Sequence, residues 1–407
     1  MATHEPASIK TALGKAGLYP LEEKLETAKS NRKLVIGIPS EPAGIETRVC
    51  LTPEAVELMV SMGHEVYIET NAGLAANYCD NDYSERGGQI VPDRRSVMQS
   101  EIILKVSTPS KEDINMMRGN QVIISSLHTD SHTAETIRMM MSKKITALAF
   151  ETIKDDNDCY PIMRSMSAIA GTRSVLLAAE FLSTHHGGKG VLLGGVAGIT
   201  PVEVVIIGAG TAAESAVRAA FGLGAHIRVF DNSVNSLVQL QNNLGSQLYT
   251  SVYHPKVLEK ALKSADVVIG ARQSHETGPR FYVTEDMVKS MKKGSVIIDI
   301  STVHGGCIET SKPMTISDKP YTKHGIIHYC VPNLPASVAR TSSIALSNVF
   351  MPLMLTVSEN GGFLQQLKND RALRQGVYIF NGILTNHLIG HYLNIPSKDI
   401  DLLMAAF

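Results

Sequence analysis

What this chain lacks narrows its class before any motif does. It carries no surplus of one charge: 38 Lys and Arg stand against 39 Asp and Glu, for a net charge of −1. A broad basic face for nucleic acid is therefore not indicated. No uninterrupted apolar run reaches membrane-spanning length; residues 191–207 come nearest and are broken by glycines, Pro201 and Glu203. The opening MATHEPASIKTALGK has no apolar core of the signal-peptide kind. Cysteines are few: Cys50, Cys79, Cys159, Cys307 and Cys330 are odd in number and lack metal-ligand spacing. That pattern fits a reducing compartment rather than a disulfide framework or a metal site. There is no low-complexity segment and no internal repeat. With 407 residues, 44% apolar and 19% charged, the chain can bury sizeable cores, and two domains are expected. The expected class is a soluble, cytoplasmic globular protein that binds no metal.

What is present centres on residues 202–231, VEVVIIGAGTAAESAVRAAFGLGAHIRVFD. The apolar run Val204, Val205, Ile206 and Ile207 reads as a buried parallel strand. It stops at Gly208-Ala209-Gly210, after which residues 211–223 have helical spacing. A second strand over 226–230 ends on Asp231. Strand, glycine turn, helix, strand and terminal acid together form the dinucleotide-binding fingerprint. Gly208 permits the tight turn, and Gly210 lets backbone amides approach a pyrophosphate. Ala213, in the place of a third glycine, is small enough for close helix–strand packing. A pyrophosphate would sit at the N-terminus of the helix, where unpaired N–H groups and the dipole favour an anion.

Ahead of the fingerprint a second unit is legible. Residues 34–38 read as a strand entering the loop 39–49, which carries Arg48. Thr52 and Pro53 supply an N-cap and a first helical residue, with Val56, Leu58, Met59 and Met62 as the apolar face. Strands over 65–68, 102–106, 122–125 and 145–149 alternate with helical segments, a rhythm that implies a separate parallel sheet. In such sheets the ligand crevice lies beyond the carboxyl ends of the strands. Lys105 and His128 fall there, with a solvated-edge lysine and a structural histidine as the alternatives. A long helix over 165–182 follows, with His185 and His186 as a C-terminal cap feature. Helices over 234–244, 257–263 and 285–291 and strands over 267–270, 295–300 and 325–332 extend the doubly wound pattern. A second long helix covers 341–358, and short helices fill the remainder. Residues 1–33 read as an appendage with an amphipathic helix over 21–29, suited to packing or oligomer contact.

Several segments together carry a family resemblance: IGIPSEPAGIETRVCLTPEAV, LKVSTP, SLHTD, RSMSAIAGT, GGKGVLLGGVAG, VIIGAGTAA, RVFDNS, GSVIIDIS, HGGCIETS and HYCVPNLPASVARTSS. Over residues 34–358 the sequence resembles the alanine dehydrogenase / transhydrogenase N-terminal superfamily, on the alanine dehydrogenase side. The resemblance implies an α/β fold of two doubly wound parallel-sheet domains. A Rossmann NAD-binding domain over 162–339 would be inserted in a discontinuous substrate domain, 1–161 and 340–407, with the two long helices as links. It further implies that Arg48 and Lys105 hold a substrate carboxylate and that His128 assists proton transfer. Ser167, Thr211, Ala212, Asp231, Val331, Asn333 and Leu334 would contact NAD. The implied reaction is NAD-dependent oxidative deamination of L-alanine to pyruvate and ammonia, by a homo-oligomer, commonly a hexamer.

Residue chemistry agrees with those roles. Two cations suit a carboxylate, and arginine offers bidentate geometry. Histidine titrates near neutrality. Asp231 would accept from a ribose 2′-OH and repel a 2′-phosphate, favouring NAD over NADP; Arg228 opposes this but lies within the strand. Two positions depart from the family. Val303 stands where the family has an aspartate two residues before the glycine pair, and Ala168 stands where it has a glutamate. His304 is adjacent to Val303, but neighbours in an extended segment point opposite ways. Losing one member of an acid/base pair costs about 10²–10⁴-fold. Two further readings therefore stand beside the first: a catalytically impaired NAD-binding paralogue, and a related oxidoreductase for another 2-oxo or amino acid.

Overall fold

The computed structural model describes residues 31–127, 133–155, 157–245, 247–272, 282–302 and 305–406. The expected helix over 21–29, His128, Val303 and His304 lie outside the described residues.

The described chain builds two sheets. The first runs through β1 (Val35–Ile38), β2 (Glu65–Glu69), β3 (Gln89–Val91), β4 (Ile102–Leu104), β5 (Val122–Ser125) and β6 (Thr146–Ala149). The second comprises β7 (Glu203–Ile207), β8 (His226–Phe230), β9 (Tyr249–Ser251), β10 (Val267–Gly270), β11 (Val296–Asp299), β12 (Tyr321–Lys323) and β13 (Ile326–Tyr329). The chain then returns to the first sheet with β14 (Val377–Phe380) and β15 (Ile383–Leu384). The strand orders are β15-β14-β6-β5-β4-β1-β2-β3 and β12-β13-β11-β10-β7-β8-β9. Pairing is parallel except at β12, β14 and β15. This is the expected α/β architecture.

Each sheet is covered on both faces, which is why its strands read as continuous apolar runs. Val204, Val205, Ile206 and Ile207 are fully buried, the even pair in one core and the odd pair in the core behind it. Each such side chain stabilises by about 1.5–3 kcal/mol, so the sheets supply a rigid frame for the loops beyond their ends.

Two 21-residue helices, Pro161–Phe181 and Ala339–Glu359, accompany the passages between the sheets. The first begins earlier than the periodicity predicts because Pro161 takes the first helical position. It ends at Leu182, so His185 and His186 form a separate turn rather than its cap. The stretch Leu334–Glu359 is long and apolar enough to cross a membrane, which the broken-run argument overlooked. Here Leu346, Phe350, Met354 and Val357 pack into the core of the first sheet. The C-terminal segment holds the β14–β15 hairpin as well as helices. Its strands are too short to show periodicity, and β14 is identified by its pairing with β6 and β15.

The Pro161–Phe181 helix lies against the fingerprint helix Thr211–Gly222 at Gly171, where an added Cβ would stand 2.0 Å from the Ala212 carbonyl oxygen. No side chain fits there. Gly171→Ala should destabilise by about 1–3 kcal/mol through overpacking. Gly222→Ala, with nothing within 4 Å, should shift stability by less than about 1 kcal/mol. Urea unfolding of both variants measures the difference.

Candidate functional site

Both sheets change winding direction at one point, and the polar residues collect there. In the first sheet β1 pairs with β2 on one side and β4 on the other, so the crevice opens beyond the ends of β1 and β4. The loop after β1 carries Glu41, Glu46 and Arg48; Lys105 directly follows β4. In the second sheet β7 pairs with β8 and β10, and the glycine turn Gly208–Gly210 follows β7.

Lys105 is 1% exposed, which rules out the solvated-edge alternative. Its Nζ lies 2.9 Å from Glu41 Oε2 and 3.9 Å from Asp113 Oδ2. The Glu41 carboxylate also accepts from the Val106 and Ser107 N–H groups and the Ser107 hydroxyl. Asp113 in turn is held by Arg94. Arg48 is also buried, though less deeply. Its Nε and Nη2 donate to the two oxygens of Glu46 at 2.8 and 2.7 Å, a bidentate pair. Its remaining edge, Nη1, faces the Met166 sulfur at 3.3 Å, a weak acceptor.

Burial opposes ionisation of Glu46, but the adjacent Arg48 and the Asn333 amide outweigh it and hold the carboxyl below its ordinary value of 4.5. Burial would likewise lower Arg48, yet Glu46 and Glu41 raise it. Burial pushes the Cys50 thiol well above its ordinary value, so this cysteine is no nucleophile. Sequence reasoning found the two cations and missed their carboxylates. A usable signal existed: Glu46 and Arg48 are two apart in an extended loop and so face the same way.

The loop after β13 closes the site from the other sheet. Asn333 Nδ2 donates to Glu46 Oε2 at 3.1 Å, and the Thr47 hydroxyl donates to the Ala336 carbonyl. Val331 and Leu334 are buried beside Asn333. Met166, which touches Arg48, is followed on its helix by Ser167 and Ala168. Ser167 lies one turn before Gly171, on the face turned to Ala212. The helix thus presents adjacent residues to both candidate centres. Ala168, next to Ser167, offers only a methyl group.

Within the glycine turn, Gly208 has φ +114°, and a Cβ there would lie 2.7 Å from the Ala271 carbonyl. Gly210 has no heavy atom within 4 Å of a built Cβ, and the helix behind it, led by Thr211, Ala212 and Ala213, has no side-chain N-cap bond. Space and uncapped N–H donors together fit a pyrophosphate. Asp231 accepts from Ala209 N and Ser233 N, both at 2.8 Å, which fixes its carboxylate at the end of β8. Arg228 is spent on Glu203 at 3.4 Å and lies against Tyr249, away from that end. At the carboxyl end of β6, Glu151 accepts from Leu127 N at 2.8 Å and from the Ser126 hydroxyl. His128, next in sequence, is outside the described residues. No cluster of metal-ligating side chains occurs among the described residues.

Comparison with known proteins finds similarity over most of the chain. Residues 37–170 match the N-terminal domain family described as Alanine dehydrogenase/PNT, and 174–387 match its C-terminal domain family. The chain is 36% identical to the alanine dehydrogenase of Staphylococcus saprophyticus, over 90% of this chain and 99% of that protein. It is 37% identical to the alanine dehydrogenase of Methanococcus maripaludis, over 89% and 97% respectively. An L-alanine dehydrogenase structure superposes with a TM-score of 0.82 at 35% identity, covering 88% of this chain and 99% of that one. A transhydrogenase from Sinorhizobium meliloti, 22% identical with a TM-score of 0.71 over 86% of this chain and 98% of that one, shares the fold.

Two experiments address the geometry. Gly208→Ala should lose about 1–3 kcal/mol of stability because its conformation admits no Cβ. Gly210→Ala should melt like the parent but bind NADH more weakly; thermal melts and NADH fluorescence titration separate the two. Glu46→Gln leaves the Arg48 charge buried without a counter-ion and should cost about 3–5 kcal/mol at neutral pH. Because the folded-state pKa of Glu46 is depressed, its contribution is complete above 4.5 and is lost as pH falls through the lower folded value. The stability gap between parent and variant should therefore shrink below about pH 4, read from urea midpoints across pH.

Proposed function

This chain belongs to the Alanine dehydrogenase/PNT family, and from that premise we propose that it catalyses NAD-dependent oxidative deamination of L-alanine to pyruvate and ammonia, and the reverse. The observation that carries this reading is the pair of enclosed cations, Lys105 held by Glu41 and Arg48 joined through Glu46 to Asn333 on the loop after β13. A small acid anchored there by its carboxylate would lie between the two centres. That immobilisation is what transfer between aligned reactants requires.

In this reading residues 1–161 with 340–407 bind substrate, and 162–339 bind the cofactor. Bound NAD supplies the hydride acceptor for the α-carbon of the substrate. Arg48 and Lys105 neutralise and orient the carboxylate. Thr211, Ala212 and Ala213 present N–H donors beyond Gly208 and Gly210, and Asp231 accepts from a ribose hydroxyl. Ser167, Val331, Asn333 and Leu334 line the approach between the sheets. His128 is assigned the proton transfer by family resemblance. The protein works in the cytoplasm as a homo-oligomer, a hexamer by the same resemblance.

A second reading is favoured by Ala168 and by Val303 in the sequence. Without either carboxylate the site binds cofactor and acid but turns over slowly, or accepts a different 2-oxo acid in the vacated space. NADH oxidation with pyruvate and ammonia, run beside a panel of 2-oxo acids, separates these readings. Turnover that needs both pyruvate and ammonia, and that no other acid supports, favours the first; tight NADH binding with no turnover on any acid sinks it. A large gain in turnover for Val303→Asp would favour the impaired form. In an active enzyme, Arg48→Ala and Lys105→Ala each remove a charge-assisted contact worth about 1.5–3 kcal/mol. Each should lower kcat/KM about 10–150-fold. Arg48→Lys, which keeps the charge but loses the fork, should recover little.

A further inference from the structure

At the winding point of the second sheet, β10 ends on Gly270 and is followed by Ala271 and Arg272. The backbone of this pair presses on the glycine turn: a Cβ built on Gly208 would meet Arg272 N at 3.1 Å as well as the Ala271 carbonyl. Arg272 is therefore rooted beside the uncapped helix N-terminus that fits a pyrophosphate. Its side chain lies among aromatic rings. The guanidinium carbon is 4.3 Å from the Tyr282 ring centroid and 6.0 Å from that of Tyr253. Those two rings stack at 4.2 Å with 23° between their planes.

The cluster reaches the acid at the end of β8. Asn232, next to Asp231, donates to the Tyr282 hydroxyl at 3.4 Å. The Tyr253 hydroxyl is buried without a hydrogen-bond partner among the described residues. A cation, two stacked rings and an unsatisfied hydroxyl thus flank the glycine turn and Asp231, which meet each other directly through the Ala209 N–H. A nucleoside diphosphate offers matching groups: an anion for the guanidinium, a flat π-face for cation and ring, and polar edges for the hydroxyl.

We propose that Arg272, Tyr253 and Tyr282 form the wall of the dinucleotide site that holds its adenosine-diphosphate half. This rests on the dinucleotide-binding reading above and adds to it a set of residues outside the glycine fingerprint. Arginine supplies both charge and a stacking plane here, which lysine does not.

The test uses the full chain and ADP-ribose, titrated by calorimetry, with reduced nicotinamide mononucleotide as a probe that lacks the adenosine and the phosphate attached to it. Arg272→Ala and Tyr282→Ala should each weaken ADP-ribose binding about tenfold and leave binding of the mononucleotide unchanged. Arg272→Lys should fall between parent and Arg272→Ala, and it guards against a folding defect, as do thermal melts of each variant. ADP-ribose binding at parental strength in Arg272→Ala would overturn the wall while leaving the dinucleotide reading intact. A parent chain that binds neither ADP-ribose nor NADH would overturn the dinucleotide reading, and the wall with it. Equal weakening of both probes in a normally melting variant would also overturn it, because the effect would not be confined to the adenosine end.

Discussion

A guanidinium or ammonium group removed from water needs a counter-charge within hydrogen-bond reach, since leaving it unpaired costs about 3–5 kcal/mol. Arg48 and Lys105 are both buried, and the form of the loop after β1 follows from that requirement. It returns Glu41 to Lys105 and Glu46 to Arg48 within eight residues of chain. Glu41 in addition gathers the N–H groups that follow β4. Glu46 accepts from Asn333, so the same ion pair ties the first sheet to the loop after β13. The contact between the first sheet and the loop after β13 therefore depends on the pair that holds Arg48.

The two sheets solve their positioning problem in the same way with different chemistry. Each has a strand, β1 or β7, whose neighbours lead in opposite directions, and each opens a crevice there. The first crevice is filled with ion pairs. The second is kept empty of side chains: Gly208 lies tight against Ala271, and Gly210 stands open. Charge suits a small carboxylate, which needs neutralising. Bare backbone suits a pyrophosphate, which needs many N–H donors at close range. The Pro161–Phe181 helix reaches both, with Met166 on Arg48 and Gly171 on Ala212.

Much of this was legible in the sequence because it is local. The strand–glycine–helix run needs only neighbours a few residues apart, as do the Thr52 cap and the apolar strands. Lys105 stood out as a charge at the end of an apolar strand. What the sequence concealed was partnership over distance. Lys105 and Glu41 are 64 residues apart, and Asn333 and Glu46 are 287 apart. The β14–β15 hairpin joins the first sheet through β6, more than 200 residues earlier in the chain, and nothing local in the sequence sets Arg272 beside Gly208. Long-range pairings of this kind leave no periodicity to read.

The arrangement of donors also bears on how a substrate enters. Each buried cation already has its own carboxylate, so a second anion could bind by expelling Glu46 or Glu41 or by adding to them. Expulsion would strand a glutamate in a buried site with its charge uncompensated, at a cost like that of breaking the pair. Addition asks less. Arg48 still has Nη1, facing the weakly accepting Met166 sulfur at 3.3 Å, and a carboxylate oxygen is much the better acceptor for it. Glu41 takes one of the three N–H donors of Lys105 at 2.9 Å, while Asp113 stands off at 3.9 Å. The glutamates then serve to aim the cations and to hold them when no substrate is present, and the weaker contact is the one that yields. Under the proposed function, a small acid that bound in this way would exchange the thioether contact of Nη1 for a charged one and leave the existing ion pairs in place.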